Sequence, residues 1–189
     1  MASHTPIELG RPVSGDVIEL ILDDHRRFET LLRQLRDSSS DRDAVRQAFA
    51  ALHVAHAEAE ETYVYPALRK KQAIGEHEEH HGHEEHAEGN EALLAVLELK
   101  GTDTEAFDEA VEELTRLVNH HLTEEELSIL NPAREGITDD ARAKLGLAFA
   151  AERNSQIDAD CGRIDNVRRI VAEAEQKGLL DEEEEGEEE

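Results

Sequence analysis

Residues 41–71 read DRDAVRQAFAALHVAHAEAEETYVYPALRKK, and their spacing decides the fold class. Val45, Phe49, Leu52, His56, Glu60, Tyr63 and Ala67 recur at steps of three and four, which puts them on one stripe of an α-helix. The stripe begins apolar and then admits a histidine and a glutamate where leucine is expected. Pro66 lacks an amide donor and predicts a kink or an end in the last turns. On this spacing Tyr63, seven residues after His56, faces inward beside the two polar residues.

The same pattern extends in both directions. Upstream, about Asp16 to Asp37, Ile18, Ile21, Leu22, His25, Phe28, Leu32 and Leu35 form a stripe that Ser38 to Ser40 end. Downstream, a third helix from near His83 to Leu99 carries His86, Asn90, Leu93 and Leu97 before Gly101 stops it. Thr102 with Glu105 reads as a capping box for a fourth, striped by Phe107, Val111, Leu114, Val118, His121 and Glu125 and closed by Pro132 and Gly136. The second and fourth helices share a plan of apolar stripe, histidine, glutamate one turn on, then proline.

Four such helices predict an all-α, antiparallel four-helix bundle over residues 14–136. A loose leader, residues 1–13, precedes it. A helical extension, residues 137–178, follows with a weaker pattern of Leu145, Leu147, Phe149, Ile157, Ile164, Val167 and Ile170. The acidic tail, residues 179–189, is too densely charged to pack and is expected to be disordered.

Composition agrees and narrows the function classes. Aromatics are 3% and tryptophan is absent, while helix formers dominate. The net charge is −26; eight of the 46 acidic residues lie in Asp181 to Glu189, so the other 180 residues still carry 38 acids against 20 bases. A surface this negative repels nucleic acid and anionic membranes, and it attracts cations. Met1 to Pro12 holds no signal-like apolar run, and nowhere do about 18 consecutive apolar residues occur to span a bilayer. The single cysteine, Cys161, excludes an internal disulfide, reads as an inert packed thiol, and fits a cytoplasmic setting.

The inward polar residues carry the chemistry. His25, His56 with Glu60, His86, and His121 with Glu125 project inward by the periodicity that buries their apolar neighbours. Burying one such group unpaired costs several kcal/mol, so six need a common partner, and a metal centre provides one. Residues at i and i+4 share a helical face with roots about 5–6 Å apart, so each His-xxx-Glu pair can aim a nitrogen and an oxygen at one ion. Two pairs plus two further histidines are enough ligands for two ions joined by carboxylates, and imidazole with carboxylate suits iron or manganese rather than structural zinc. His120 with Glu124 competes with His121 and Glu125, and His83 with His86; the stripes favour His121, Glu125 and His86. His53 has Ala57 four residues on, which makes His56 the better ligand. His77 to His81 reads as a hydrated linker.

These residues resemble the pattern H…HxxxE…H…HxxxE of haemerythrin-like HHE cation-binding domains. The flanking text is similar as well: DDHRRFETLL (23–32), HAEAEETYVYPAL (56–68), HEEHAEGNEALL (83–94) and NHHLTEEELSILNPA (119–133). The resemblance spans about Asp16 to Ala133. It implies two iron ions, an oxo- or hydroxo-bridged di-iron centre, with Glu60 and Glu125 bridging. Oxygen-carrying relatives take two histidines from the third helix and an aspartate from the fourth, so the glutamate pattern points away from simple oxygen transport. It points instead to a small diatomic or peroxide ligand, handled by a peroxidase-like, catalase-like or nitric oxide-reactive oxidoreductase, or by an iron- or oxygen-sensing module. Ferritin-like proteins use Glu-xx-His, whose sole example here, Glu78 to His81, falls in the linker.

Overall fold

A computed structural model describes residues 7–180, and every regular element among them is helical. In chain order these are α1 (Val17–Leu35), α2 (Arg42–Ala59), α3 (Tyr65–Lys70), α4 (Glu76–Glu98), α5 (Glu105–Glu125), α6 (Asn131–Gly136), α7 (Asp139–Asp158) and α8 (Ile164–Gln176). A π turn, Glu60–Val64, joins α2 to α3, and another, Glu126–Leu130, joins α5 to α6. The result is four long rods, α1, α2 with α3, α4, and α5 with α6, packed up and down as a bundle, with α7 and α8 laid against its outside.

Side-chain caps set the starts. Asp16 accepts from the Ile18 amide at 2.9 Å, Asp41 from Ala44 at 3.2 Å and Thr138 from Ala141 at 3.3 Å. The cap of α5 is Thr104 rather than Thr102; its hydroxyl accepts from the Phe107 amide at 3.2 Å. Helix α4 starts at Glu76, two turns earlier than expected, so the histidine-rich stretch is helical and not a linker. The Glu78 carboxylate accepts from the Gly75 amide at 2.8 Å, and Arg69 pairs with Glu79 at 2.8 Å, which holds this end without an apolar stripe.

The prolines bend neither rod to a stop. Pro66 and Pro132 each sit just after a π turn, where the i→i+5 bonds from Tyr65 to Glu60 and from Asn131 to Glu126 close the wider ring. The missing amide of each proline thereby falls at a place where the ladder is already shifted.

The apolar interior divides into two clusters. One gathers Phe28, Leu32, Leu35, Phe49, Leu52, Leu93, Phe107, Val111, Leu114 and Val118; the other gathers Ile18, Ile21, Val64, Tyr65, Leu68, Ile129, Leu130 and Phe149. His25 falls between Ile21 and Phe28 in α1, and His56 between Leu52 and Ala59 in α2. The inward polar residues are therefore sandwiched between two apolar plugs that keep water out.

The extension is two helices, not one continuous stretch. Asp160, at φ +56°, breaks the chain between them, and Cys161 and Gly162 pack on α2. A Cβ at Gly162 would lie 2.4 Å from the Ala51 nitrogen, so only glycine permits this approach. The Cys161 Sγ is buried 3.3 Å from the Ala51 carbonyl, and burial pushes the thiol up to about 11. Helix α7 lies against α1 and α2, with Phe149 and Arg153 pointing inward, while Leu147, expected on the stripe, is exposed. The described part of the leader is tied down: Pro12 accepts from Asn154 at 2.7 Å, and Arg11 pairs with Asp158 at 2.7 Å. The acidic tail from residue 181 onward lies outside the described residues. Among the described residues no helix is long and apolar enough to cross a membrane.

Candidate metal centre

The six inward polar residues meet at mid-bundle, each 4% exposed or less. Donor atoms of His25, His56, Glu60 and Glu125 lie within 4.8 Å of one another, and so do those of Glu60, His86 and His121. Glu60 belongs to both groups. Its Oε2 stands 3.2 Å from His56 Nε2 and 3.3 Å from His86 Nε2. Glu125 lies similarly between the other two rings, with Oε2 at 3.1 Å from His25 Nε2 and 3.7 Å from His121 Nε2. Each carboxylate thus faces imidazole nitrogens from two different rods.

Each imidazole is held from behind. Nδ1 of His25 contacts Glu126 at 2.8 Å, that of His56 contacts Asp24 at 3.2 Å, that of His86 contacts Glu61 at 2.8 Å, and that of His121 contacts Glu85 at 3.0 Å. An ionised carboxylate only accepts, so every Nδ1 carries the donated proton and every Nε2 faces the centre. The acids run in a closed ring: α1 holds the histidine of α2, the turn after α2 holds that of α4, α4 holds that of α5, and the turn after α5 holds that of α1. Outer carboxylates of this kind fix ring orientation and raise ligand basicity in metal sites.

Five of the inward donor atoms lack hydrogen-bond partners, whereas His25 Nε2 meets Glu125 Oε2 at 3.1 Å. Nε2 of His56, His86 and His121 and both oxygens of Glu60 are buried and unsatisfied. Lone pairs facing carboxylates at these distances repel unless positive charge stands between them. Without metal, protons must supply it. Burial works against the charged ring, yet the facing Glu60, with Asp24 or Glu61 behind, raises His56 and His86 to about 10. Burial likewise opposes ionisation of Glu60, but His56 and His86 outweigh it and hold that carboxyl well below its ordinary range. The donor set and its orphaned atoms fit a metal cation.

Where the sequence left a choice, the placements differ plainly. His121 and Glu125 are buried in the cluster, whereas His120 is 57% exposed and reaches Glu85 at 3.6 Å. His86 is buried, while His83 is half-buried and pairs with Glu61 at 3.0 Å. His53 is buried but belongs to neither donor group; it stacks on Phe49, and burial drives it well below the ordinary histidine range.

Tyr63 does not face the centre. It is 41% exposed, because the π turn after Glu60 rotates the chain and brings Tyr65 inward instead. Tyr65 is fully buried, stacked on His86 at 5.8 Å, with its hydroxyl donating to Glu125 Oε1 at 3.0 Å. Burial and the nearby Glu125 and Glu60 raise its phenol well above the ordinary value, so it keeps that proton.

Asp24, Glu61, Glu85, Glu126, Tyr65 and Arg153 are absent from the sequence reading. The four acids had a signal: each is the immediate chain neighbour of an inward residue, in Asp24-His25, Glu60-Glu61, Glu85-His86 and Glu125-Glu126. One residue is a turn of about 100° on a helix, which aims the acid at the next rod.

Residues 16–133 match a family model described as Hemerythrin HHE cation binding domain. No curated protein and no solved structure matches the chain. The matched span holds all six inward donors and stops before α7.

Proposed function

We propose, since the chain belongs to the hemerythrin HHE cation-binding family, that His25, His56, Glu60, His86, His121 and Glu125 hold two iron ions and that the protein binds or turns over a small oxidant. Dioxygen, hydrogen peroxide and nitric oxide are the candidates. The observation that carries this is the convergence of unpartnered imidazole nitrogens and carboxylate oxygens in two overlapping groups that share Glu60. Bound iron supplies the redox equivalents such a ligand needs.

The chain's own groups do the rest. The four Nδ1 acids aim the rings, Glu60 and Glu125 link the two donor groups, and the apolar clusters on either side exclude water. Tyr65 keeps a proton on the oxygen that donates to Glu125. A groove of about 470 Å³ between α1 and α5 is lined by Leu32, Leu122 and Glu126, the acid behind His25. A reducing, cytoplasmic setting suits the single buried thiol.

The test is to load the protein anaerobically with Fe(II) and mix it separately with dioxygen, hydrogen peroxide and nitric oxide while following the optical spectrum. A saturable change with one of them, repeated over many turnovers when reductant is supplied, supports turnover. If none alters the spectrum, the oxidant reading fails. A single stoichiometric change without turnover supports the second reading, an iron- or oxygen-sensing module, which the link from α7 to the centre through Arg153 and Asp24 favours.

A further inference from the structure

We infer that Arg153 is a positioning residue of the metal centre, acting through Asp24 on the His56 ring, so that the C-terminal helices complete a site whose donors all precede them. The inference rests on the metal-holding reading above. Arg153 is fully buried on α7. Its Nε donates to Asp24 Oδ2 at 2.6 Å and its Nη2 to Asp24 Oδ1 at 2.8 Å, a two-point grip that fixes the plane of the carboxylate. Oδ2 is also the atom that accepts from His56 Nδ1 at 3.2 Å.

The guanidinium is itself over-determined. Its remaining donors go to the Leu9 carbonyl at 2.8 Å, the Gly10 carbonyl at 3.2 Å and Asn154 Oδ1 at 3.2 Å, so all five N–H groups are used. One turn earlier on α7, Phe149 meets the His56 ring edge-on with centroids 5.7 Å apart. Leader, α7, Asp24 and His56 therefore form one chain of contacts from outside the matched span to a donor. Among the described residues the other three acids are not gripped by a buried arginine: Glu61 and Glu126 are partly exposed, and Glu85 bears on His81, His120 and His121. A carboxylate gripped by a buried arginine holds one ring orientation; a free one samples several.

The experiment measures Fe(II) affinity by chelator competition, and the visible spectrum of the cobalt(II)-loaded protein, for the full chain and its variants. Arg153→Met is expected to weaken Fe(II) binding by about 10- to 100-fold and to shift the cobalt bands. Arg153→Lys, which keeps the charge but not the two-point grip, should fall between. In an Asp24→Asn background, Arg153→Met should cost little more, because both act on one ring; this double variant also avoids leaving a buried charge unpaired if Arg153→Met fails to fold. Arg142→Met, which loosens α7 from Asp16 without touching Asp24, should leave affinity and bands unchanged. The inference is overturned if wild type and Arg153→Met bind equally, if Arg142→Met matches Arg153→Met, or if the Asp24 and Arg153 effects simply add. Failure of the wild type to bind Fe(II) overturns instead the metal-holding reading, and this inference with it.

Discussion

The Tyr65 hydroxyl lies 3.0 Å from Oε1 of Glu125, so the rod that carries Glu60 also steadies the carboxylate of the opposite rod. A hydrogen bond to a charged acceptor contributes about 1.5–3 kcal/mol, and phenylalanine would fill the same volume without it. Tyr65→Phe is therefore expected to keep the fold and the number of bound ions but to weaken Fe(II) affinity about tenfold. Chelator competition on the two proteins checks this; equal affinities would show that Glu125 does not depend on the phenol.

Protons and metal compete for the same nitrogens. His56 and His86, raised from 6.5 to about 10 in the metal-free chain, stabilise that fold fully below about 6.5 and lose the contribution as pH rises to about 10. The urea midpoint of metal-free protein should fall between pH 7 and 10, while that of the loaded protein stays nearly level. Calorimetry at pH 7 in buffers of different ionisation heat should find about two protons released on loading. A metal-free midpoint that does not move, with no proton release, would contradict the pairing.

A glycine fixes how α7 docks. A Cβ at Gly146 would stand 2.0 Å from the Gly15 carbonyl oxygen and 3.2 Å from the Val17 nitrogen, both backbone atoms at the start of α1. Alanine favours a helix over glycine by about 1 kcal/mol, but this overlap costs about 1–3 kcal/mol or more. Gly146→Ala should lower the thermal midpoint. A raised midpoint would mean that α7 does not approach α1 so closely.

How much of this was legible in the sequence follows from which physics was local. His25, His56, Glu60, His86, His121 and Glu125 replaced aliphatic residues on four stripes, and a 3.6-residue period is enough to place them together inside. The stripe misplaces Tyr63 because a π turn is a shift of register that it cannot show; Pro66 marks the spot, where the sequence predicts only a kink or an end. Helix α4 began early because ion pairs, not an apolar face, hold His77 to His81 in helix. Arg153 was invisible: a buried arginine looks like a surface one until Asp24, 129 residues away, is seen beside it.

Fe(II) titration of metal-free protein under anaerobic conditions, with chelator competition, tests the central claim most directly, run on the wild type and on a His56→Leu, His121→Leu double variant. The account predicts two tightly bound ions per chain in the wild type, one for each donor group, and loss of tight binding in the folded variant. No tight binding in the wild type, or the same binding in both proteins, would contradict it.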